Sequence, residues 1–239
     1  MNNTYLSIII PCFNEKKTII NIINKIKKIK KLKKQIILID DGSTDGTKDI
    51  IKKHLISKVD KVIFHKKNKG KGSAIISSKK FVKGNLIIIQ DADLEYDPND
   101  YHKLIKAFKY KGADIVYGSR VLGRKKKHNL FITNVFNKNF RIFGNYILTK
   151  ISNLINNQSL TDAHTCYKVF RKEVFLSLDL KEKGFSFCPE VTTKASKFGY
   201  KIFEVPINYD GREIDDGKKI RLKDAFSAIF TIIKYKYFL

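Results

Sequence analysis

Cysteine, proline and acid are all scarce in this 239-residue chain. It holds three Cys, four Pro and 23 Asp plus Glu. Cys12, Cys166 and Cys188 lie far apart without the C-x-x-C spacing of zinc or thioredoxin-like redox sites, so a reduced, cytosolic chain is the default expectation. There is no Pro-rich linker, internal repeat or low-complexity tail. Nor is there an apolar run of the ~20 residues a membrane-spanning helix needs. The C-terminal run from Ala225 to Ile233 stops at Lys234. The opening MNNTYLSIIIPCFNE has no basic stretch followed by a long apolar one, so no secretory signal is expected. Against 23 acids stand 48 Lys plus Arg, a formal charge of +25, which favours a polyanionic partner such as phosphorylated ligands, an anionic membrane or nucleic acid. Six of the 48 are Arg. Their planar forks suit bidentate phosphate binding, whereas most of the Lys reads as solvated surface.

A composition 43% hydrophobic and 30% charged is globular, and the length fits one large domain with a sizeable core. Short apolar runs alternate with amphipathic stretches. Strands are expected at Leu6 to Ile10, Gln35 to Ile39, Lys61 to His65, Asn85 to Gln90, Asp114 to Tyr117, Lys201 to Val205 and around Ile207 to Tyr209. Helices are expected at Lys17 to Lys31, from Thr47 to about His54 and around Ser73 to Phe81. This alternation predicts an α/β fold with a mostly parallel central sheet flanked by helices. Ligands of such sheets bind beyond the carboxyl ends of the strands. Asn14, Glu15, Asp40, Asp41, Asp91 and Asp93 all fall there.

The sharpest local signal is Gln90-Asp91-Ala92-Asp93-Leu94-Glu95, directly after an apolar strand. If the segment is extended, Asp91, Asp93 and Glu95 share one face and repel one another unless a cation sits among them. Oxygen-only ligands with an incomplete shell suit Mg²⁺ or Mn²⁺ bound together with substrate phosphates. The plainer alternative is an acidic loop before a helix that begins at Asp97-Pro98. Asp40 to Thr47 forms a second acidic turn, able to accept from a nucleobase edge or ribose hydroxyls, or simply to lead a strand into a helix. Lys69-Gly70-Lys71-Gly72-Ser73 sets cations and backbone N–H groups where a pyrophosphate would meet a helix N-terminus, yet it is neither a Rossmann nor a Walker A sequence. Arg120 follows a strand and suits a phosphate. Asp162 is the first acid after a 115–161 stretch that has none, so it should stay ionised and orient an acceptor or a basic partner. His164 and Cys166 lack the positioned third group that a Cys–His nucleophile requires.

Within the basic stretch, Ile132, Phe136, Phe140, Phe143, Ile147, Ile151 and Leu154 follow a helical repeat. Such a stripe either packs on the core or lies in an anionic membrane interface.

Taken in order, SIIIPCFNE (7–15), IDDGSTDGT (39–47), NKGKGSA (68–74), IIQDADLEYDP (88–98), YGSR (117–120), TDAHTCYKVFR (161–171), FSFCPEVTTK (185–194), EVPINYDGR (204–212) and GKKI (217–220) resemble family 2 glycosyltransferases of the GT-A fold. The likeness is to the polyprenyl-phosphate (dolichol-phosphate) mannose or glucose synthase branch and runs over nearly the whole chain. It implies that Pro11, Glu15 and Asp41 line the nucleoside pocket with help from Asp91, and that Lys71 lies on the substrate side. It implies that Asp93 and Glu95 hold Mg²⁺ or Mn²⁺, that Arg120 meets phosphate near the acceptor, and that Asp162 stands at the reaction centre. Glu190, Arg212 and Lys218 fall in segments that look acceptor-side or loop-closing.

The implied organisation is a single catalytic domain. A nucleotide-sugar part spans about 1–120, an acceptor and membrane-interface segment about 121–160, and an acceptor-side segment about 161–239. The implied reaction is inverting transfer of a hexose from a GDP- or UDP-sugar to a polyprenyl phosphate. It would occur at the cytoplasmic membrane face, with membrane contact peripheral or through an anchoring partner protein. Two departures from the branch stand out: no transmembrane helix is expected before Leu239, and Asn85 replaces an acid before the fourth strand. The alternatives are a family 2 transferase acting on a non-lipid glycan and a basic nucleic-acid-binding protein. The second is disfavoured because acids crowd the strand ends, where they would repel a polyphosphate backbone.

Overall fold

A run such as Ser7-Ile8-Ile9-Ile10 can be this apolar only if both faces of its strand are buried, and the computed structural model shows why. It describes residues 4–127, 140–211 and 222–239. In chain order the elements are β1 (Tyr5–Cys12), α1 (Ile19–Lys28), β2 (Lys33–Asp40), α2 (Thr47–Ile50, continued by a π turn), β3 (Lys61–Phe64), α3 (Lys71–Ser78), β4 (Leu86–Ile89) and α4 (Tyr101–Lys111). There follow β5 (Ile115–Ser119), α5 (Arg120–Lys127), α6 (Phe140–Asn156), β6 (Lys168–Arg171), α7 (Lys172–Ser177), α8 (Phe187–Lys197), β7 (Ile202–Pro206) and α9 (Leu222–Ile233).

Seven strands form one sheet in the order β3-β2-β1-β4-β6-β5-β7. The β1–β2, β1–β4, β2–β3 and β5–β7 pairs are parallel, while β6 runs antiparallel to both β4 and β5. Alternation divides the core in two. On one face Ile8, Ile10, Leu38, Ile88 and Val116 pack with Ile19, Ile22, Ile23 and Ile26 of α1 and Leu104 of α4. On the other, Ile9, Ile37, Ile39, Ile87 and Ile89 pack with Ile75 of α3, Phe175 of α7 and Val191 of α8. Burying one such side chain is worth about 1.5–3 kcal/mol, so this isoleucine-rich sheet dominates the stability.

Two expectations need correction. The segment around Ile207 to Tyr209 is not a strand; Tyr209 makes one isolated bridge to Tyr96. The short antiparallel β6 was not foreseen, because a four-residue run with a cation at each end carries almost no periodic signal. Asn85, where the branch often has an acid, accepts the Tyr5 N–H at 2.9 Å and so fastens the start of β1. Among the described residues no helix is long and apolar enough to cross a membrane.

Candidate active site

At the carboxyl ends of β1 and β2 the two following loops are tied together. Ser43 Oγ accepts from Asn14 N–H and Asn14 Oδ1 from Thr44 N–H, both at 2.9 Å. Thr47 Oγ1 accepts from Glu15 N–H at 2.9 Å, and Glu15 Oε2 accepts from Thr18 Oγ1 at 2.7 Å. Pro11, paired in register with Ile39, leads into this knot. The Asp41 carboxylate is buried and accepts from Lys69 N–H at 3.0 Å, Gly70 N–H at 2.7 Å and His65 Nδ1 at 2.6 Å. Here Asp41 therefore holds the glycine loop, with both oxygens engaged by the protein.

That loop needs glycine for a steric reason. Gly70 has φ +93°, and a Cβ at Gly70 or Gly72 would collide with the carbonyls of Lys183 and Glu182. Ser73 N–H donates to the Lys183 carbonyl at 3.0 Å. The 181–184 strap is held in turn by Glu190, whose oxygens accept from Lys181 and Glu182 N–H, each at 2.8 Å, and pair with Lys194 at 2.8 Å. Glu190, expected as an acceptor-side or loop-closing position, is fully buried and anchors the strap behind the glycine loop. Lys71, at the start of α3, contacts the Asp91 carboxylate and lies 2.8 Å from Cys166 Sγ. Burial works against its charge, but Asp91 outweighs burial and holds the ammonium well above the usual lysine range.

The strand before the acidic motif ends at Ile89, and Leu94 adopts φ +67°. Residues 91–95 therefore form a turn, and the extended, one-face arrangement does not apply. Asp91 meets Lys71, Asp93 Oδ1 accepts from Glu95 N–H at 3.2 Å, and Glu95 Oε2 accepts from Tyr209 OH at 2.7 Å. Among the described residues no three His, Cys, Asp or Glu side chains converge as a metal-ligand group. The surroundings still favour a cation. Burial, then Asp91 and Glu95, push the Asp93 carboxyl up to about 7. A hard divalent ion with part of its shell supplied by a diphosphate suits such an oxygen-rich, charge-strained turn. Gln90 fixes its base: Oε1 accepts from Tyr101 OH at 2.7 Å and Tyr167 OH at 2.6 Å, while Nε2 donates to the Asp91 carbonyl at 3.0 Å. The alternative helix start is also present, with Asp97 capping Asn99 N–H at 3.0 Å ahead of Pro98.

Asp162, 3% exposed, takes three bonds from Arg120: backbone N–H at 3.0 Å, Nε at 2.7 Å and Nη2 at 2.8 Å. Burial alone would raise its pKa, but the guanidinium overrides it and keeps the carboxyl below the usual range. The Asp162 loop hangs from Glu204 of β7, which accepts from Thr161 N–H at 2.7 Å and Asp162 N–H at 2.9 Å. Buried Lys168 donates to the Ala163 carbonyl at 3.0 Å and to that of Thr165. Burial pushes the Cys166 thiol well up and drops His164 to about 4, so neither is poised as an ionised catalytic pair. Glu204, Lys168 and Tyr209 were not singled out as site residues beforehand. Glu204 and Tyr209 lie in the EVPINYDGR motif and Lys168 in TDAHTCYKVFR, the available signals. Arg212 and Lys218 lie outside the described residues, as do Ile132 and Phe136 of the expected stripe.

A family model described as Glycosyl transferase family 2 matches residues 7–178. An uncharacterized protein of Methanocaldococcus jannaschii is 29% identical over 100% of this chain and 95% of its own length. A dolichol-phosphate mannosyltransferase of Pyrococcus furiosus is 31% identical over 97% of this chain, which spans 62% of that relative. The crystal structure of glucosyl-3-phosphoglycerate synthase from Mycobacterium tuberculosis with Mn²⁺, UDP and glucosyl-3-phosphoglycerate has a similar fold. The TM-score is 0.71 at 18% identity, covering 98% of this chain and 81% of that one.

Proposed function

Because this chain belongs to glycosyl transferase family 2 and has the GT-A fold, we propose that it transfers a hexose from a nucleotide diphosphate sugar to a polyprenyl phosphate, inverting the anomeric carbon. The observation that carries this reading is the pairing of two halves. The carboxylate turn at 91–95 and the partly buried Arg120, oriented by Asp162, are linked through Tyr209, whose hydroxyl meets Glu95 and whose ring meets the guanidinium.

A phosphate monoester acceptor carries about 1.5–2 negative charges near neutral pH, so its oxygen attacks without a general base. Asp162 then serves to orient Arg120. Two of the guanidinium nitrogens are committed to Asp162, which leaves Nη1 to meet an acceptor phosphate. Lys71, at the start of α3, suits the donor diphosphate; Pro11, Glu15 and Asp91 are assigned to the nucleoside side, and Asp41, whose oxygens are taken by the glycine loop and His65, shapes that side by holding the loop. Asp93 and Glu95 would hold Mg²⁺ or Mn²⁺, with Asp91 beside them. When bound, that ion supplies positive charge to the leaving diphosphate. The chain's own contribution is positioning and electrostatics: it aligns acceptor oxygen, anomeric carbon and leaving group.

A lipid acceptor is supported by apolar surface. α6 buries Leu148, Thr149, Ser152 and Asn156 but leaves Leu154 84% exposed, and α9, packed against it, exposes Phe226 at 73% and Phe230 at 67%. Lys150, Lys234 and Lys236 flank these side chains. Aromatic and basic surface of this kind seats at an anionic lipid interface, consistent with peripheral association at the cytoplasmic face.

The test is incubation with radiolabelled GDP- and UDP-hexoses, polyprenyl phosphate and Mn²⁺ or Mg²⁺. Label entering the organic phase supports the reading. Label appearing only on soluble glycans overturns the lipid acceptor, and no transfer from any donor overturns the reading as a whole.

A further inference from the structure

Tyr209 touches both the 91–95 turn and Arg120. We infer that it is a positioning residue, setting the Glu95 carboxylate with its hydroxyl and the Arg120 guanidinium with its ring. This rests on the donor and acceptor assignment proposed above.

The hydroxyl donates to Glu95 Oε2 at 2.7 Å, and the backbone of the same segment closes on the same residue, with Asp210 N–H donating to the Glu95 carbonyl at 2.9 Å. The Tyr209 ring meets the Tyr96 ring edge-on at 5.0 Å between centroids, and the guanidinium carbon of Arg120 lies 5.3 Å from the ring centre. The segment is pinned from behind by Asp100, which accepts from Asn208 N–H at 2.6 Å. In front, a Cβ at Gly211 would stand 3.1 Å from the ring, so glycine lets the chain turn closely past it.

One side chain thus touches a carboxylate on the cation side and the cation on the acceptor side. A hydrogen bond that aims a carboxylate ligand typically changes metal affinity by 10–100-fold when removed. The ring contributes a separable cation–π contact to Arg120. Phe at this position removes only the first; Leu removes both.

The experiment measures Mn²⁺ binding by the loss of the free-ion electron paramagnetic resonance signal, with UDP or GDP present, for the parent chain, Tyr209→Phe and Tyr209→Leu. It is joined to acceptor KM and kcat for polyprenyl phosphate and to a thermal melt. Tyr209→Phe should bind Mn²⁺ about tenfold more weakly with acceptor KM unchanged. Tyr209→Leu should show the same Mn²⁺ defect and an acceptor KM raised about fivefold. Mn²⁺ affinity of Tyr209→Phe within twofold of the parent overturns the inference, as does an acceptor KM for Tyr209→Leu equal to that of Tyr209→Phe. A parent chain that binds no Mn²⁺ with either nucleotide fails earlier and overturns the donor-side reading on which the inference stands.

Discussion

Replacing Asp162 with Asn probes the pair on which the acceptor side is built. The carboxylate is 3% exposed and accepts three bonds of 2.7–3.0 Å from one arginine, so both charges are desolvated and each is the other's main compensation. Asn keeps the shape but carries no charge, and its amide nitrogen would face guanidinium donors. Breaking a buried pair from one side costs about 3–5 kcal/mol, a large share of the 5–15 kcal/mol available to a domain. Arg120→Met should cost a similar amount for the converse reason. The double variant should lose at least ~2 kcal/mol less than the two singles added together, because no unpaired charge is left behind.

Urea unfolding followed by circular dichroism gives all four values. The pH dependence has a definite sign. Asp162 is more acidic when folded than unfolded, so its stabilisation is full above the unfolded value near 3.9 and fades as pH falls through the lower folded value. The gap between parent and Asp162→Asn should therefore be constant from pH 5 to 7 and shrink below about pH 4. A cost under ~1 kcal/mol at pH 7, or additivity within ~0.5 kcal/mol, would refute the reasoning.

Three further outcomes are expected. His164, whose buried Nε2 has no hydrogen-bond partner among the described residues, is held neutral down to about 4, so the unfolded chain takes up the proton first as pH drops from ~6.5. Stability should fall by on the order of 3 kcal/mol over that interval, and His164→Gln should flatten the profile in pH-dependent thermal melts. Asp93→Asn should reduce hexose transfer by at least ~100-fold while leaving the melting temperature equal or higher, since it removes a half-buried carboxylate repelled by Asp91 and Glu95; near-parental turnover contradicts its assigned role. Phe226→Glu with Phe230→Glu should leave the fold intact, both being mostly exposed, yet abolish co-sedimentation with anionic phospholipid vesicles; unchanged sedimentation argues against lipid contact through α9.

The limits of reading the chain show at particular residues. Asp93 and Arg120 were visible as candidates because each is a charged side chain directly beyond an apolar strand, a relation contained within a few neighbouring positions. The acidic motif was visible too, but its geometry was not: the left-handed Leu94 breaks the two-residue alternation on which the extended reading depended. Glu190 was legible only through its motif, as an acceptor-side or loop-closing position, and its anchoring of the 181–184 strap from a fully buried place shows only in the fold.

By itself, the sequence determined what is local: isoleucine-rich strands at intervals, amphipathic helices between them, and acids and glycines at the turns. These follow from periodicity and the conformational preferences of neighbouring residues. Only the tertiary structure decided that β6 inserts antiparallel between β4 and β5, that Arg120 closes on Asp162 across 42 positions, and that Tyr209 reaches Glu95 across 114. Those pairings arise because both partners are brought together and stripped of water by the packing of the whole sheet. No short stretch of chain carries the energy that makes them form.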